Sequence, residues 1–315
     1  MSGEPTVIST FAGCGGSSLG YKMAGYRELL AIEWDANAVA TFQLNFPEVP
    51  VWQRDICGVT ADEILDFLNI KAGDLDVLDG SPPCQGFSTA GKRQVNDPRN
   101  DLFRQYVRLV EGLQPRVFVM ENVSGMVKGS MKGRFKEIML QLKGTGYQVK
   151  CRLMNAMYYG VPQSRQRLIF IGTRPDMPEP SHPAPQTKPM TAGEAFADLA
   201  IPPAELEECQ VRQTWQMYRV LQGHERHRHF GLVRLSLNRP SPTIVKDAGN
   251  TTTGMIHPVA LRKLAVAELK RLASYPDDFA LAGKYKEKWA RIGNSVPPRF
   301  MQAIAAHIKD MILTP

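Results

Sequence analysis

The stretch Gly80-Ser81-Pro82-Pro83-Cys84-Gln85-Gly86-Phe87-Ser88 most narrows what this chain can become. It follows Asp74-Leu75-Asp76-Val77-Leu78-Asp79, a short apolar run that reads as a buried strand ending where the glycine and prolines begin. A cysteine is thereby placed on a loop at the carboxyl end of a strand. Open α/β sheets bind ligands there, which makes Cys84 a candidate nucleophile. The prolines fix the backbone before it, and Gly86 admits a substrate closely after it. A buried free thiol beside a turn is the plainer alternative, so the loop has to be read with its neighbours.

Those neighbours alternate strand and helix, which predicts an α/β sheet with helices on both faces. Thr6 to Phe11 is a β-branched and apolar strand running into Ala12-Gly13-Cys14-Gly15-Gly16, where glycines let the backbone approach a cofactor ahead of a helix N-terminus. The spacing falls short of a full dinucleotide fingerprint, which disfavours NAD. The strand Leu29 to Ile32 ends in Glu33-Trp34-Asp35, an acid where ribose hydroxyls bind and an aromatic able to stack on adenine. Asp35 also suits the N-cap of a helix from Ala36 to Phe46. Arg54-Asp55-Ile56 follows, then a capping box at Thr60 and Glu63 opening a helix to Ile70.

Gly91 to Asp101 is polar and basic, a loop able to close over substrate, and a helix runs from Leu102 through Val110. The strand Arg116 to Met120 delivers Glu121-Asn122-Val123, whose carboxylate would lie near the Cys84 loop if the strands are neighbours. Helix Met131 to Leu142 and strand Gln148 to Leu153 come next. Arg165 and Arg167, two apart as the chain enters the strand Leu168 to Gly172, are expected to point to opposite faces and do different work. Beyond a proline-rich stretch from Arg174 to Pro203, a helix is expected from Val266 to Ser274 and another from Arg299 to Ile312.

Charge sharpens the picture. Residues 1–83 carry 4 Lys/Arg against 12 Asp/Glu, residues 84–174 carry 16 against 5, and the segment from Cys209 to Lys246 carries seven against one. Basic segments downstream of an acidic first third suit a polyanion held against one side. The run His224-Glu225-Arg226-His227-Arg228-His229 has no thiolate or carboxylate set around it, so a phosphate-facing loop is expected there and no metal. Five scattered cysteines suggest reduced thiols. With no signal-like start and no apolar run of spanning length, a cytoplasmic protein is expected.

Taken in order, Phe11-Ala12-Gly13-Cys14-Gly15-Gly16, Glu33-Trp34-Asp35, Asp55-Ile56, Pro82-Pro83-Cys84-Gln85, Glu121-Asn122-Val123, Gln163-Ser164-Arg165-Gln166-Arg167 and Gly293-Asn294-Ser295-Val296 resemble the DNA (cytosine-5) methyltransferases of the bacterial modification type. The resemblance spans nearly the whole chain, apart from a short variable region at 191–235. It implies a Rossmann-like, S-adenosylmethionine-dependent sheet formed by residues 1–190 and 291–315, with a small target-recognition domain at 191–290. It implies donor contacts at Phe11, Gly13, Gly16, Glu33, Trp34, Asp55, Ile56, Pro83, Leu102 and Asn294.

The chemistry implied is attack of the Cys84 thiolate at cytosine C6, which activates C5 toward a methyl group. Glu121 would serve N3, a role that requires a carboxyl holding a proton near neutral pH, as a desolvated one can. Arg165 would support O2 of the base, and Arg167 would be more structural. The target atoms lie within the stack, so the cytosine must be extruded. Contacts to double-stranded DNA are expected from Gln85, Ser88, Lys92, Arg93, Arg167, Arg226, Arg228 and Thr253. A monomer is expected, and the sequence leaves open whether a cognate restriction endonuclease accompanies it.

The rival closest in chemistry is the branch of this family that methylates tRNA, but its Cys-Phe-Thr signature is absent from the variable region. A catalytically silent relative is disfavoured by the presence of Cys84, Glu121 and Arg165 together. A thiol hydrolase is disfavoured because no histidine precedes His182.

Overall fold

A computed structural model describes residues 3–83, 102–127, 132–209, 232–246 and 254–314. Cys84, Gln85, Ser88, Lys92, Arg93, Arg226, Arg228 and Thr253 lie outside these residues, as does the histidine run at 224–229.

The strands are β1 (Thr6–Thr10), β2 (Arg27–Glu33), β3 (Val51–Gln53), β4 (Val77–Gly80), β5 (Val117–Val123), β6 (Gln148–Asn155) and β7 (Gln166–Thr173). They form one sheet in the order β3-β2-β1-β4-β5-β7-β6. The first five are mutually parallel, and β7 runs antiparallel to β5 and β6. The α/β sheet covered on both faces is as expected, and the antiparallel course of β7 is an addition to it. The strand order reverses at β1 and β4, so the crevice for ligands opens beyond their carboxyl ends.

Burial on both faces explains the near-continuous apolar strands. Ile8, Leu30, Leu78, Phe118, Met120 and Phe170 turn to one side, beneath α3 (Ala61–Leu68), α4 (Leu102–Leu113) and α5 (Lys132–Gly144). Their neighbours Val7, Val77, Val117, Val119, Ile169 and Ile171 turn to the other. That second face is covered by α1 (Gly16–Met23) and by the late helix Pro298–Ile308 through Tyr21, Phe300, Ile304 and Ile308.

Between β7 and that late helix the chain forms short pieces: α6 (Ala192–Phe196), α7 (Pro203–Glu208), a parallel pair β8 (Leu232–Arg234) and β9 (Gly254–Ile256), α8 (Val266–Leu272) and α9 (Tyr285–Asn294). Their apolar residues, among them Leu235, Ile244, Leu269, Tyr275, Trp289 and Ile292, share a core with Cys14, Ala31, Phe42 and Phe46. Phe42 lies on α2 (Ala36–Asn45) and Phe46 caps its end, while its N-cap is Asp35, with Oδ1 accepting from the N–H groups of Asn37 and Ala38.

Two features go beyond the sequence reading. Arg291 to Asn294, without secondary structure in that reading, form the last turn of α9. The closing helix α10 spans Pro298–Ile308 and continues as a wider turn, Lys309–Leu313. Proline at the first helical position explains the start, since its missing N–H has no partner there anyway.

Candidate active site

At the carboxyl end of β2 the Glu33 carboxylate is buried and held by backbone. Oε2 accepts the Gly13 N–H at 2.7 Å, and Oε1 accepts the N–H groups of Trp34 and Asp35 at 2.9 Å each. The glycine-rich turn after β1 is therefore fastened directly to the acidic end of β2. Gly13 has φ +57, and a Cβ placed there would meet nothing within 4 Å, so the backbone faces open space. Trp34 is 74% exposed beside it. Asp55 caps the short turn Ile56–Gly58, whose Ile56 is buried in the sheet core together with partly buried Phe11 and Leu102. Phe11 itself sits at φ +53, a left-handed conformation that costs a non-glycine residue energy.

Gly16 has a different reason to be glycine. A Cβ there would stand 2.3 Å from the Val296 carbonyl oxygen and 2.6 Å from the Tyr275 hydroxyl. The turn after β1 is thus roofed by the residues immediately after exposed Asn294. Gly16→Ala should cost about 1–3 kcal/mol by overpacking, and should weaken S-adenosylhomocysteine binding. Urea unfolding and calorimetric titration measure the two effects, and a variant as stable as wild type would refute the contact.

Beyond Gly80, β4 stops while β5 continues, paired only with β7, through Glu121, Asn122 and Val123. The Glu121 side chain is 11% exposed, and its Oε1 lies 2.6 Å from Nε of Arg167. Asn122 donates to the Pro82 carbonyl at 3.3 Å, which ties the start of the Cys84 loop to the strand carrying Glu121. Cys84 itself lies outside the described residues.

The arginine pair corrects an expectation. Positions two apart in extended chain share a face, so Arg165 and Arg167 do not diverge. Arg167 pairs with Glu121 across the β5–β7 ladder, where Val123 stands opposite Arg167 and Ile169 opposite Glu121. Arg165, 3% exposed, donates from Nη1 to the Ile244 carbonyl and from Nη2 to the Gly293 carbonyl, each at 3.0 Å. Burial first, then Arg167, push its guanidinium down to about 9, which leaves it charged at neutral pH.

Beneath the glycine-rich turn lies a feature the sequence reading missed. Asp79 is 2% exposed, and its Oδ1 accepts from the Tyr21 hydroxyl at 3.3 Å. Burial, then the nearby Glu28, push its carboxyl up to about 8. Glu28, accepting from the Ser18 hydroxyl at 3.0 Å, is pushed up to about 7 by burial. In sequence Asp79 looked like the ordinary polar end of a strand. Its hydrogen-bond partner lies 58 positions away, so no local pattern could reveal it.

Among the described residues, no cluster of His, Cys, Asp and Glu could hold a metal ion, and no helix is long and apolar enough to cross a membrane.

Comparison with known proteins places this geometry. The family model for C-5 cytosine-specific DNA methylases matches residues 5–310. The Type II methyltransferase M1.HphI of Haemophilus parahaemolyticus is 35% identical, over 97% of this chain and 87% of its own length. The Type II methyltransferase M.XorII of Xanthomonas oryzae is 34% identical, over 97% and 84%. A solved prophage-encoded E. coli structure, described as a DNA modification methyltransferase, superposes with a TM-score of 0.80 at 26% identity, covering 98% of this chain and 99% of that one. A family match that takes in both the acid-anchored glycine turn and the Glu121–Arg167 pair leaves one assignment: the chain belongs to the C-5 cytosine-specific DNA methylases and is a DNA (cytosine-5-)-methyltransferase.

Proposed function

We propose that this protein methylates C5 of a cytosine turned out of duplex DNA at a specific site, with S-adenosylmethionine as donor and Cys84 as the covalent nucleophile. The observation that carries the reading is the hydrogen bond from Asn122 to the Pro82 carbonyl, which puts the root of the Cys84 loop beside the Glu121–Arg167 pair.

The residues at the β1–β3 ends fit the donor: an anchored acid at Glu33 for a ribose diol, open backbone at Gly13 and an exposed indole at Trp34. Phe11, Gly16, Asp55, Ile56, Pro83, Leu102 and Asn294 complete that assignment. S-adenosylmethionine would supply an electrophilic methyl group there. The chain's own part is to make C5 nucleophilic. The Cys84 thiolate adds to C6, and the electron density released onto the ring is met at N3 by Glu121. Arg165, whose Nε is buried with no hydrogen-bond partner among the described residues, supports O2 of the base, while Arg167 is the structural partner that orients Glu121. When a base removes the C5 proton, the thiolate leaves and C6 is restored.

Gln85, Ser88, Lys92 and Arg93, on a catalytic domain of 1–190 and 291–315, and Arg226, Arg228 and Thr253, on a small domain at 191–290, are assigned to DNA contacts. The enzyme acts as a monomer, and its likeness to Type II methyltransferases supports a cognate endonuclease as partner.

Duplexes carrying 5-fluorocytosine should become joined to the wild-type protein through Cys84 and not to Cys84→Ser. Bisulfite mapping of DNA from an expressing cell should first locate 5-methylcytosine within one short motif. Absence of both the adduct and the mark would overturn the reading.

A further inference from the structure

Past the end of β3 the chain makes the short turn Ile56–Gly58, and part of what holds it is local. Asp55 Oδ1 accepts the Cys57 N–H at 3.0 Å, and Arg54 Nη2 donates to the Gly58 carbonyl at 2.8 Å. A long-range hold comes from partly buried Arg108 on α4. Its Nη2 donates to the Val59 carbonyl at 2.7 Å and to the Ile56 carbonyl at 3.1 Å, across 49 and 52 positions of sequence. Its Nε donates to Gln105 Oε1 at 3.0 Å, one turn back on the helix, which fixes the guanidinium. Carbonyls of a helical turn point toward its C-terminal end, where a positive charge is favoured. One turn further along α4, Gly112 lets two helices close up: a Cβ there would stand 2.4 Å from that of Ala61, the first residue of α3. Helix α4 begins at Leu102, which shares a core with Ile56. Side chains on a helix lean toward its N-terminus, so Arg108 reaches back toward the end at which Leu102 stands.

We propose that Arg108 is a positioning residue for the methyl donor, clamping the turn after β3 to α4 and so setting the gap between Asp55–Ile56 and Leu102. The proposal rests on the function given above, in which those three residues contact the donor. Arg108 acts through the turn and not on the reacting atoms. With the clamp in place the donor enters a preformed crevice. Without it, the turn keeps its local bonds and the buried Ile56 side chain, and part of the donor's binding energy goes into ordering it. Once the donor is bound the turn is back in position, so the chemical step keeps its rate.

The test uses the full-length protein, calorimetric titration with S-adenosylhomocysteine, and steady-state methylation of genomic DNA from a host lacking this enzyme. Urea unfolding establishes that each variant is folded under those conditions. Arg108→Met keeps the aliphatic stem and removes every donor, whereas Arg108→Lys keeps a cation able to reach a carbonyl. Arg108→Met should weaken S-adenosylhomocysteine by about 10-fold or more and raise the KM for S-adenosylmethionine to match, with kcat and the KM for DNA within about 3-fold of wild type. Arg108→Lys should recover part of the affinity. If Arg108→Met does not fold, Arg108→Gln takes its place with the same expected result. A folded variant that binds S-adenosylhomocysteine within about 2-fold of wild type overturns the proposal. So does an Arg108→Lys no better than Arg108→Met, or a fall in kcat or rise in the DNA KM as large as the rise in the donor KM, which marks a merely structural role. A wild-type protein that binds no S-adenosylhomocysteine and leaves no methyl mark defeats the functional reading itself; one that does both while the Arg108 variants match it defeats this proposal alone.

Discussion

Glu121→Gln is expected to slow methylation by about 10²–10⁴-fold while leaving S-adenosylhomocysteine affinity near wild type. Glutamine preserves the shape of the side chain and its reach from β5. It removes the acid–base capacity proposed at N3 and weakens the pairing with Arg167, whose Nε lies 2.6 Å from Oε1. The Arg167 side chain is only 13% exposed, so losing its partner leaves a largely desolvated cation, at a cost of about 1–3 kcal/mol in stability. Single-turnover rates, donor titration and urea unfolding separate the chemical effect from the structural one. A variant methylating within about threefold of wild type would remove Glu121 from the mechanism.

The second large effect is a dependence of stability on pH. Asp79 has an ordinary value of 3.8 and is pushed up to about 8 in the folded protein. Between those values the folded state holds a proton that the unfolded chain has released, so stability falls as pH rises, by about 1.4 kcal/mol per unit, and levels off above the folded value. Glu28, displaced in the same direction to about 7, adds to the slope. Asp79→Asn keeps a neutral group against the Tyr21 hydroxyl and cannot ionise. From pH 5.5 to 7.5 the wild type should therefore lose about 3 kcal/mol more than the variant in urea unfolding. Parallel curves would show that Asp79 is not protonated in the folded protein.

The sheet was legible because its signals are local. β-branched runs at Thr6 and Val77 end at glycines, and Asp35 and Thr60 announce their helices by capping. Helix α9 was not read, although Tyr285, Trp289 and Ile292 recur at helical spacing. Its N-cap is Lys284, whose side chain makes no cap bond, and the Gly-Asn-Ser that ends it looks like loop. Glu121 was placed correctly on its strand. The partners that fix Arg165 were not legible, because they are the carbonyls of Ile244 and Gly293, at separations of 79 and 128 positions. What faces DNA was legible only as an excess of positive charge.

The contact between the Cys14 thiol and the Tyr275 hydroxyl spans 261 positions of sequence. A nascent chain emerging from the ribosome can pair β1, β2 and β4 early, yet its cofactor turn stays unroofed until residues 275–296 have been made. Contacts between such distant segments form slowly, so the competent enzyme assembles only after residues 275–296 have emerged rather than progressively. Slowing translation just ahead of codon 275 should accordingly prolong an inactive, protease-sensitive form.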